Sequence, residues 1–285
     1  IQLKRQLQLD QNYFVPASFV FNDKNSLEIS KGKIRKKGDR ELHYENFERM
    51  SFRVNLKNEF RFRGLEKFSI QQPIIRNYSW EYLIAKVMEI ENLLSLDQGP
   101  LFLSVNGEYR GLFSYEEVPS KRTIESRNRK SGPIFSLNEN LSSEFPNIFF
   151  EVYDKNEWEN STIYNYSISI LSKLVDDNTF SNNGDLNNFF DINEWAKYFA
   201  LSDLFGSYHG VVPKSVKFYY NPTIGKFQPI FFDGHKGAGF FKNFIILDFL
   251  KHDLNQIDCE WVCGENNWFL IFLKNKLFLK HYLDY

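Results

Sequence analysis

Cysteine is scarce in this chain, limited to Cys259 and Cys263 in the segment CEWVC. A structural zinc site needs four ligands, and the nearby candidates are His252 and acidic side chains. On a helix the i, i+4 spacing puts both sulfurs on one face. The pair is read as two free thiols in a packed helix, with a disulfide or metal pair as the alternative. A long apolar run is also missing: no stretch of 18 apolar residues offers a transmembrane helix. Excess charge of one sign is absent too. Lys and Arg total 35 against 36 Asp and Glu, a net charge of −1. No global field points to nucleic acid or a membrane surface. The one basic cluster, KGKIRKKGDR (Lys31–Arg40), has acids nearby and reads as a solvated turn or phosphate-facing loop. No internal repeat, low-complexity tract or signal peptide stands out. The chain begins at Ile1 and closes on an expected amphipathic helix, FLIFLKNKLFLKHYLDY, without a cap or tail. It is read as a fragment of a longer protein, and its compartment stays open between cytoplasm and cell envelope.

What the chain has in abundance is aromatic residues, with 30 Phe, 15 Tyr and 5 Trp in 285 residues. Such a load fills a sizeable core. Phe, Asn, Lys and Ile run high together, which fits a codon-composition bias better than an aromatic binding surface.

The first 70 residues are strand-like, with short apolar or alternating runs at Phe19–Phe21, Leu27–Ile29, Met50–Leu56 and Glu59–Arg63. In SFRVNL, Phe52, Val54 and Leu56 share one face and Arg53 and Asn55 the other. From Ser79 the period becomes helical, through Trp80, Leu83, Ile84, Val87, Ile90 and Leu94. Leu101–Val118 reads as a hairpin turning at Asn106-Gly107. The polar stretch Pro119–Gly132 resembles a linker. Helices are expected over Ser161–Leu174 and from Asp191 to Phe205, the second opened by the capping pattern D-I-N-E. A hairpin follows, VKFYYN and KFQPIFFD around the turn Asn221–Gly225. Helices fill the remainder, with Trp261, Trp268, Phe269, Phe272 and Leu277 as core candidates. The expected architecture is bilobal α+β: a β-rich lobe with one helix over 1–118, and a mainly helical lobe with one embedded hairpin over 119–285.

Asp233 is the first candidate for chemistry. It ends an apolar strand (Ile230, Phe231, Phe232) and precedes Gly234, Gly237 and Gly239, which let backbone approach a ligand closely. A solvent-facing Asp in a glycine turn is the plainer alternative. His209 and His235 could serve as base or metal ligand, or as hydrogen-bonded structural residues. Asp203, six residues before His209, could face a cleft or simply solvent.

Four segments in order resemble the CotH kinase family, which shares a divergent protein-kinase-like fold. KGKIRKKGDRELHYENFERMSFRVNL is similar to its N-terminal turn and strand, and FRGLEKFSIQQPIIRNYSWEYLIAKVM to a branch with an FSLQ-like motif. VNGEYRGLFSYEE resembles its NG hairpin, and KFYYNPTIGKFQPIFFDG its strand, turn and metal-binding segment.

The resemblance implies phosphoryl transfer from ATP with Mg²⁺, bound between the lobes. It assigns the metal-binding acid to Asp233 and the hairpin acid to Glu117. Arg53 and Lys67 stand where phosphate-contacting cations are expected, with Glu81 as an orienting partner. Base work falls to His209 or Asp203. The chain departs from the family where many members carry a loop Asp and then an Asn. His209 occupies the first position and Lys214 or Ser215 the second, and His235 replaces a second acid. Ser215 offers a weak hydroxyl ligand; Lys214 would repel a metal but bind a phosphate. Two functions are carried forward: an ATP-dependent kinase acting on a protein, and a degenerate pseudokinase serving as a binding or envelope-interaction module. A metal-dependent hydrolase using His209, Asp233 and His235 is a third. A protein substrate or partner is expected, with no nucleic acid.

Overall fold

The computed structural model describes residues 13–23, 26–38, 41–57, 60–137, 150–175, 186–211, 215–235, 246 and 270–285. Cys259, Cys263, His252, Trp261, Trp268, Phe269, Lys214, Gly237 and Gly239 lie outside them. The chain forms two compact units. One comprises residues 1–79 and 97–118, the other 80–96 and 119–285. Both contain a sheet, and the fold is mixed α/β.

The first unit is built on a six-stranded antiparallel sheet ordered β1-β2-β3-β4-β7-β6. Its strands are β1 (Val15–Asp23), β2 (Ser26–Lys36), β3 (Phe52–Leu56), β4 (Lys67–Gln71), β6 (Gln98–Val105) and β7 (Glu108–Glu117). Alternation sorts the faces. Val54, Leu56, Phe68, Ile70, Phe113 and Tyr115 form one apolar cluster. The β6–β7 hairpin turns at Asn106 (φ 53°) and Gly107 (φ 82°), both left-handed, as a two-residue turn between twisted strands requires. Glu59–Arg63 does not supply a strand: the described part of that region forms only an isolated bridge between Phe62 and Leu65.

The second unit departs from the expected mainly helical lobe with one hairpin. It contains a five-stranded sheet ordered β5-β11-β10-β8-β9. The expected hairpin is its centre, β10 (Lys217–Asn221) and β11 (Lys226–Phe231). The unexpected strands are short: β5 (Leu94–Ser95), β8 (Ile134–Leu137) and β9 (Phe150–Val152). Strands of a few residues offer too little periodicity to be read locally. Leu94, taken as helical, instead pairs in parallel with Ile230. The preceding helix α1 (Trp80–Ile90) stops earlier, where Asn92 turns left-handed.

Both faces of the β10–β11 hairpin are buried. Phe218, Tyr220, Phe227 and Phe231 face a large core. Tyr219 and Ile230 face a smaller cluster containing Ile124. Ile124 lies on helix α2 (Lys121–Glu125), inside the stretch read as a linker. That stretch is fastened further by Arg129, which bonds Gln228 Oε1 (2.7 Å) and pairs with Glu194 (3.0 Å).

After the short helix α3 (Lys155–Trp158), the large core gathers α1, α4 (Thr162–Val175), α5 (Leu186–Phe189), α6 (Ile192–Phe205), α7 (Leu270–Leu273) and α8 (Lys276–Asp284) with the sheet. Asp191 caps α6 by accepting from the Glu194 amide. The reciprocal half of the expected capping box is absent, because the Asp191 amide donates to Phe227 O. The C-terminal segment is two helices rather than one, divided at Asn275, whose side chain accepts from the Phe278 amide. Phe272 and Phe278 enter the core, whereas Leu277 is exposed.

Trp195 is central to that core. It stacks on Phe272 (5.0 Å) and meets Phe199 edge-on (5.7 Å), while its indole N–H donates to Phe227 O (3.0 Å). Aromatic rings thus fill the interior of the second unit, and a smaller set around Phe68, Phe113 and Tyr115 fills the first. Among the described residues, no helix is long and apolar enough to cross a membrane.

Truncating Phe199 to Ala is expected to lower unfolding free energy by about 3–5 kcal/mol, because the ring is fully buried. Denaturant titration of the variant against the parent chain measures it; a loss under about 1 kcal/mol would contradict this packing.

Candidate functional site

Asp233 stands just beyond the end of β11 with φ at 58°, a conformation uncommon for a residue with a side chain. Its surroundings enforce this geometry. The Asp233 amide donates to Glu81 Oε1 (3.0 Å), and Glu81 is buried in the first turn of α1. Gly234 follows where a Cβ would come within 2.3 Å of the Phe231 ring. A side chain at 234 is therefore excluded unless that ring moves.

The end of α6 delivers the second group. Gly206 closes the helix in a left-handed cap (φ 61°), its amide donating to Asp203 O, and the Ser207 amide returns to Ser202 O. The chain then forms a short 3-10 turn, Tyr208–Gly210. Gly210 lets this turn lie against the strand end, since a Cβ there would meet Phe232 O at 2.7 Å. Tyr198 fastens the turn by donating its hydroxyl to Gly210 O (3.0 Å).

His209 is thereby placed beside Asp233, with Nδ1 2.8 Å from Oδ2. Ser215 donates its hydroxyl to the same oxygen (2.8 Å) and lies 3.0 Å from His209 Nδ1. His235 approaches the other oxygen, its Nε2 3.5 Å from Oδ1. The two imidazoles stack with centroids 4.1 Å apart. All four residues are buried. One carboxylate is thus flanked by two imidazoles and a hydroxyl, and His209, Asp233 and His235 bring ligand atoms within 4.8 Å of one another.

The structure brings together His209, Ser215, Asp233 and, through the backbone, Glu81. Asp203 is engaged elsewhere: its carboxylate accepts from the Ile246 amide (2.8 and 3.0 Å) and from the Tyr282 hydroxyl.

In the first unit a second polar cluster surrounds Glu116. Strand register lays Arg35, Arg53, Ser69, Glu116 and Gln98 in one row across five strands. Glu116 is buried. It accepts from Lys37 (2.8 Å), from Gln71 (3.0 Å) and from Arg76 through Nε (3.0 Å) and a terminal nitrogen (2.8 Å). Burial works to raise the Glu116 pKa, but the charges and hydrogen bonds of Arg76 and Lys37 overcome it and hold the carboxyl well below the usual range. Burial brings the Lys37 ammonium down to about 8; Glu116 opposes that shift, and the Arg76 and Arg53 charges add to it.

Of the other candidates in this unit, Arg53 belongs to this row. Lys67 begins β4, where its carbonyl accepts the Val118 amide. Glu117 points to the opposite side of the strand from Glu116 and accepts from the Asp97 amide (2.8 Å). Lys37, Gln71, Arg76 and Glu116 were not singled out from the sequence. Strand parity was the available signal: in SFRVNL, Arg53 opposes the apolar face, and in YEE the residue opposing Tyr115 is Glu116.

The family described as CotH kinase protein matches residues 34–285. The chain belongs to the CotH kinase family. No curated protein matches it. Membership makes the protein kinase-like and carries ATP and metal use as a general property of the family. The expected Mg²⁺ can be tested against the donors present. Mg²⁺ takes oxygen ligands in near-ideal octahedral geometry and seldom uses imidazole. Among the described residues, the side-chain oxygens beside the two imidazoles are the Asp233 carboxylate and the Ser215 hydroxyl, and nitrogen donors occupy both sides of the carboxylate. This donor set does not fit Mg²⁺.

The Glu116 cluster predicts a pH signature. A carboxyl whose folded pKa is depressed adds stability above its ordinary value of 4.5 and loses it as pH falls. Lys37 acts in the other range. Between about 8 and 10.5 the unfolded chain binds more protons, so stability rises with pH. Glu116→Gln should be less stable than the parent at pH 7 and flatten the acid limb, and Lys37→Met should flatten the alkaline rise. Urea midpoints across pH measure both; unchanged limbs would refute the assignment.

Proposed function

We propose that this CotH family member is an ATP-dependent phosphotransferase acting on a protein substrate. The observation that supports it most is the buried Asp233 carboxylate, held in a left-handed conformation at a strand end by Glu81. Fixed charge placed where phosphoryl groups react is what such chemistry asks of a protein. The kinase-like, two-lobed organisation belongs to this reading, with residues 1–118 as the β-rich lobe and 119–285 as the second.

Within the reading, the reacting end is the Asp233 cluster rather than Asp203, whose oxygens are committed to Ile246 and Tyr282. The cationic face around Lys37 and Arg53 suits nucleotide phosphates. The Lys37–Glu116 pair has the chemistry of the lysine–glutamate pair that active kinases require. Lys67 and Lys214 remain candidate phosphate contacts, and Glu117 a positioning acid.

A second reading rests on a specific departure. His209 stands where many family members carry the loop acid, which favours a nucleotide-binding or partner-binding module without turnover.

Incubation with radiolabelled ATP separates these readings. The parent chain should incorporate label into itself or an added protein acceptor, and Asp233→Asn should reduce the rate by about 10²–10³-fold. Equal labelling by both proteins would sink the kinase proposal. Thermal stabilisation by millimolar ATP without labelling would support the binding module.

A further inference from the structure

We propose that His209, Asp233 and His235 bind one divalent transition-metal ion of the kind that accepts imidazole, in preference to Mg²⁺. The inference deepens the reading of the Asp233 cluster as the reacting end and rests on it. Metal bonds of about 2.0–2.2 Å to nitrogen and oxygen place neighbouring ligand atoms about 3–3.5 Å apart. The observed separations are 2.8 Å from His209 Nδ1 to Asp233 Oδ2 and 3.5 Å from His235 Nε2 to Asp233 Oδ1. The three ligand atoms already lie within 4.8 Å of each other.

Chemistry narrows the class of ion. Two imidazoles and one carboxylate make the donor set used for zinc, iron and related ions, whereas Mg²⁺ and Ca²⁺ are held by oxygens. Three protein ligands leave further positions of the ion for water or a phosphate oxygen.

The site is also organised before any ion arrives. Glu81 accepts from the Asp233 amide, and the absence of a Cβ at Gly234 lets the backbone before His235 lie against the Phe231 ring. Gly210 and the Tyr198 hydroxyl hold the turn that carries His209. Ser215 donates its hydroxyl to Asp233 Oδ2, a contact that orients the carboxylate toward an ion. Ordering these groups is therefore not charged against binding.

The test uses chelator-stripped full chain with Cys259→Ser and Cys263→Ser, so that thiols cannot contribute. Zn²⁺ is titrated by calorimetry, and Co²⁺ by visible absorption, which reports nitrogen ligation. One Zn²⁺ per chain is expected, undisplaced by millimolar Mg²⁺ and weakened at least about 10²-fold by His235→Ala. Ser215→Ala, a gentler change, should weaken it about tenfold and keeps the test decisive if His235→Ala fails to fold. Retained Zn²⁺ affinity in folded His235→Ala, or displacement by equimolar Mg²⁺, would overturn the proposal. An ATP-induced thermal shift is measured on the same samples. ATP stabilisation without Zn²⁺ binding defeats the metal assignment but not the nucleotide reading. Zn²⁺ binding without ATP stabilisation or labelling supports the metal assignment and defeats the nucleotide reading.

Discussion

The hairpin of β10 and β11, buried on both faces, is the constraint from which the second unit is organised. A strand pair with one buried face already resists slipping, since a one-residue shift would turn its apolar set out to solvent, and burial of the second face adds a further constraint. Here Phe218, Tyr220, Phe227 and Phe231 are committed to the helical core, and Tyr219 and Ile230 to the opposite cluster. Slippage by one residue would exchange those sets and carry the buried Gln228 away from Arg129, Asn221 and Asp191, the partners that satisfy its amide. The end of β11, and hence Asp233, is located by core packing rather than by its loop.

That location makes the chemistry of a single carboxylate matter. Asp233 is buried beside two imidazoles and a serine hydroxyl, and its amide is tied to a second buried acid, Glu81. An isolated buried charge is expensive, and nearby donors offset that penalty. In the first unit Glu116 meets the same problem with cations instead, and its carboxyl is driven the opposite way from the effect of burial alone. The two clusters show two solutions for an acid in a dry environment: nitrogen and hydroxyl donors in one, paired positive charge in the other.

Much of the architecture could be read locally. The Asn106-Gly107 hairpin, the alternation in SFRVNL, the α6 cap at Asp191 and the β10–β11 turn each depend on neighbouring residues, and each is present. Short β5, β8 and β9 could not be read, because two to four residues carry no period and gain strand character only from partners distant in sequence. The stretch Pro119–Gly132 looked like a linker because its polar residues dominate. Its buried Ile124 and the bonds of Arg129 to Gln228 and Glu194 appear only after folding. The break at Asn275 was missed, because the apolar run on both sides of it suggested one continuous helix.

By itself, the sequence determined the family, the strand–turn–Asp motif and the residue types available for chemistry, since these follow from order and spacing along the chain. Tertiary structure decided which of them meet. His209, Ser215 and His235 converge on Asp233 because a helix cap, a glycine-permitted close approach and a buried strand end meet at one point. Glu116 rather than Glu117 gathers the cations because strand pairing puts successive side chains on opposite faces. Ligand-scale distances of about 3 Å between residues far apart in the chain are set by packing, and local sequence has no means to encode them alone.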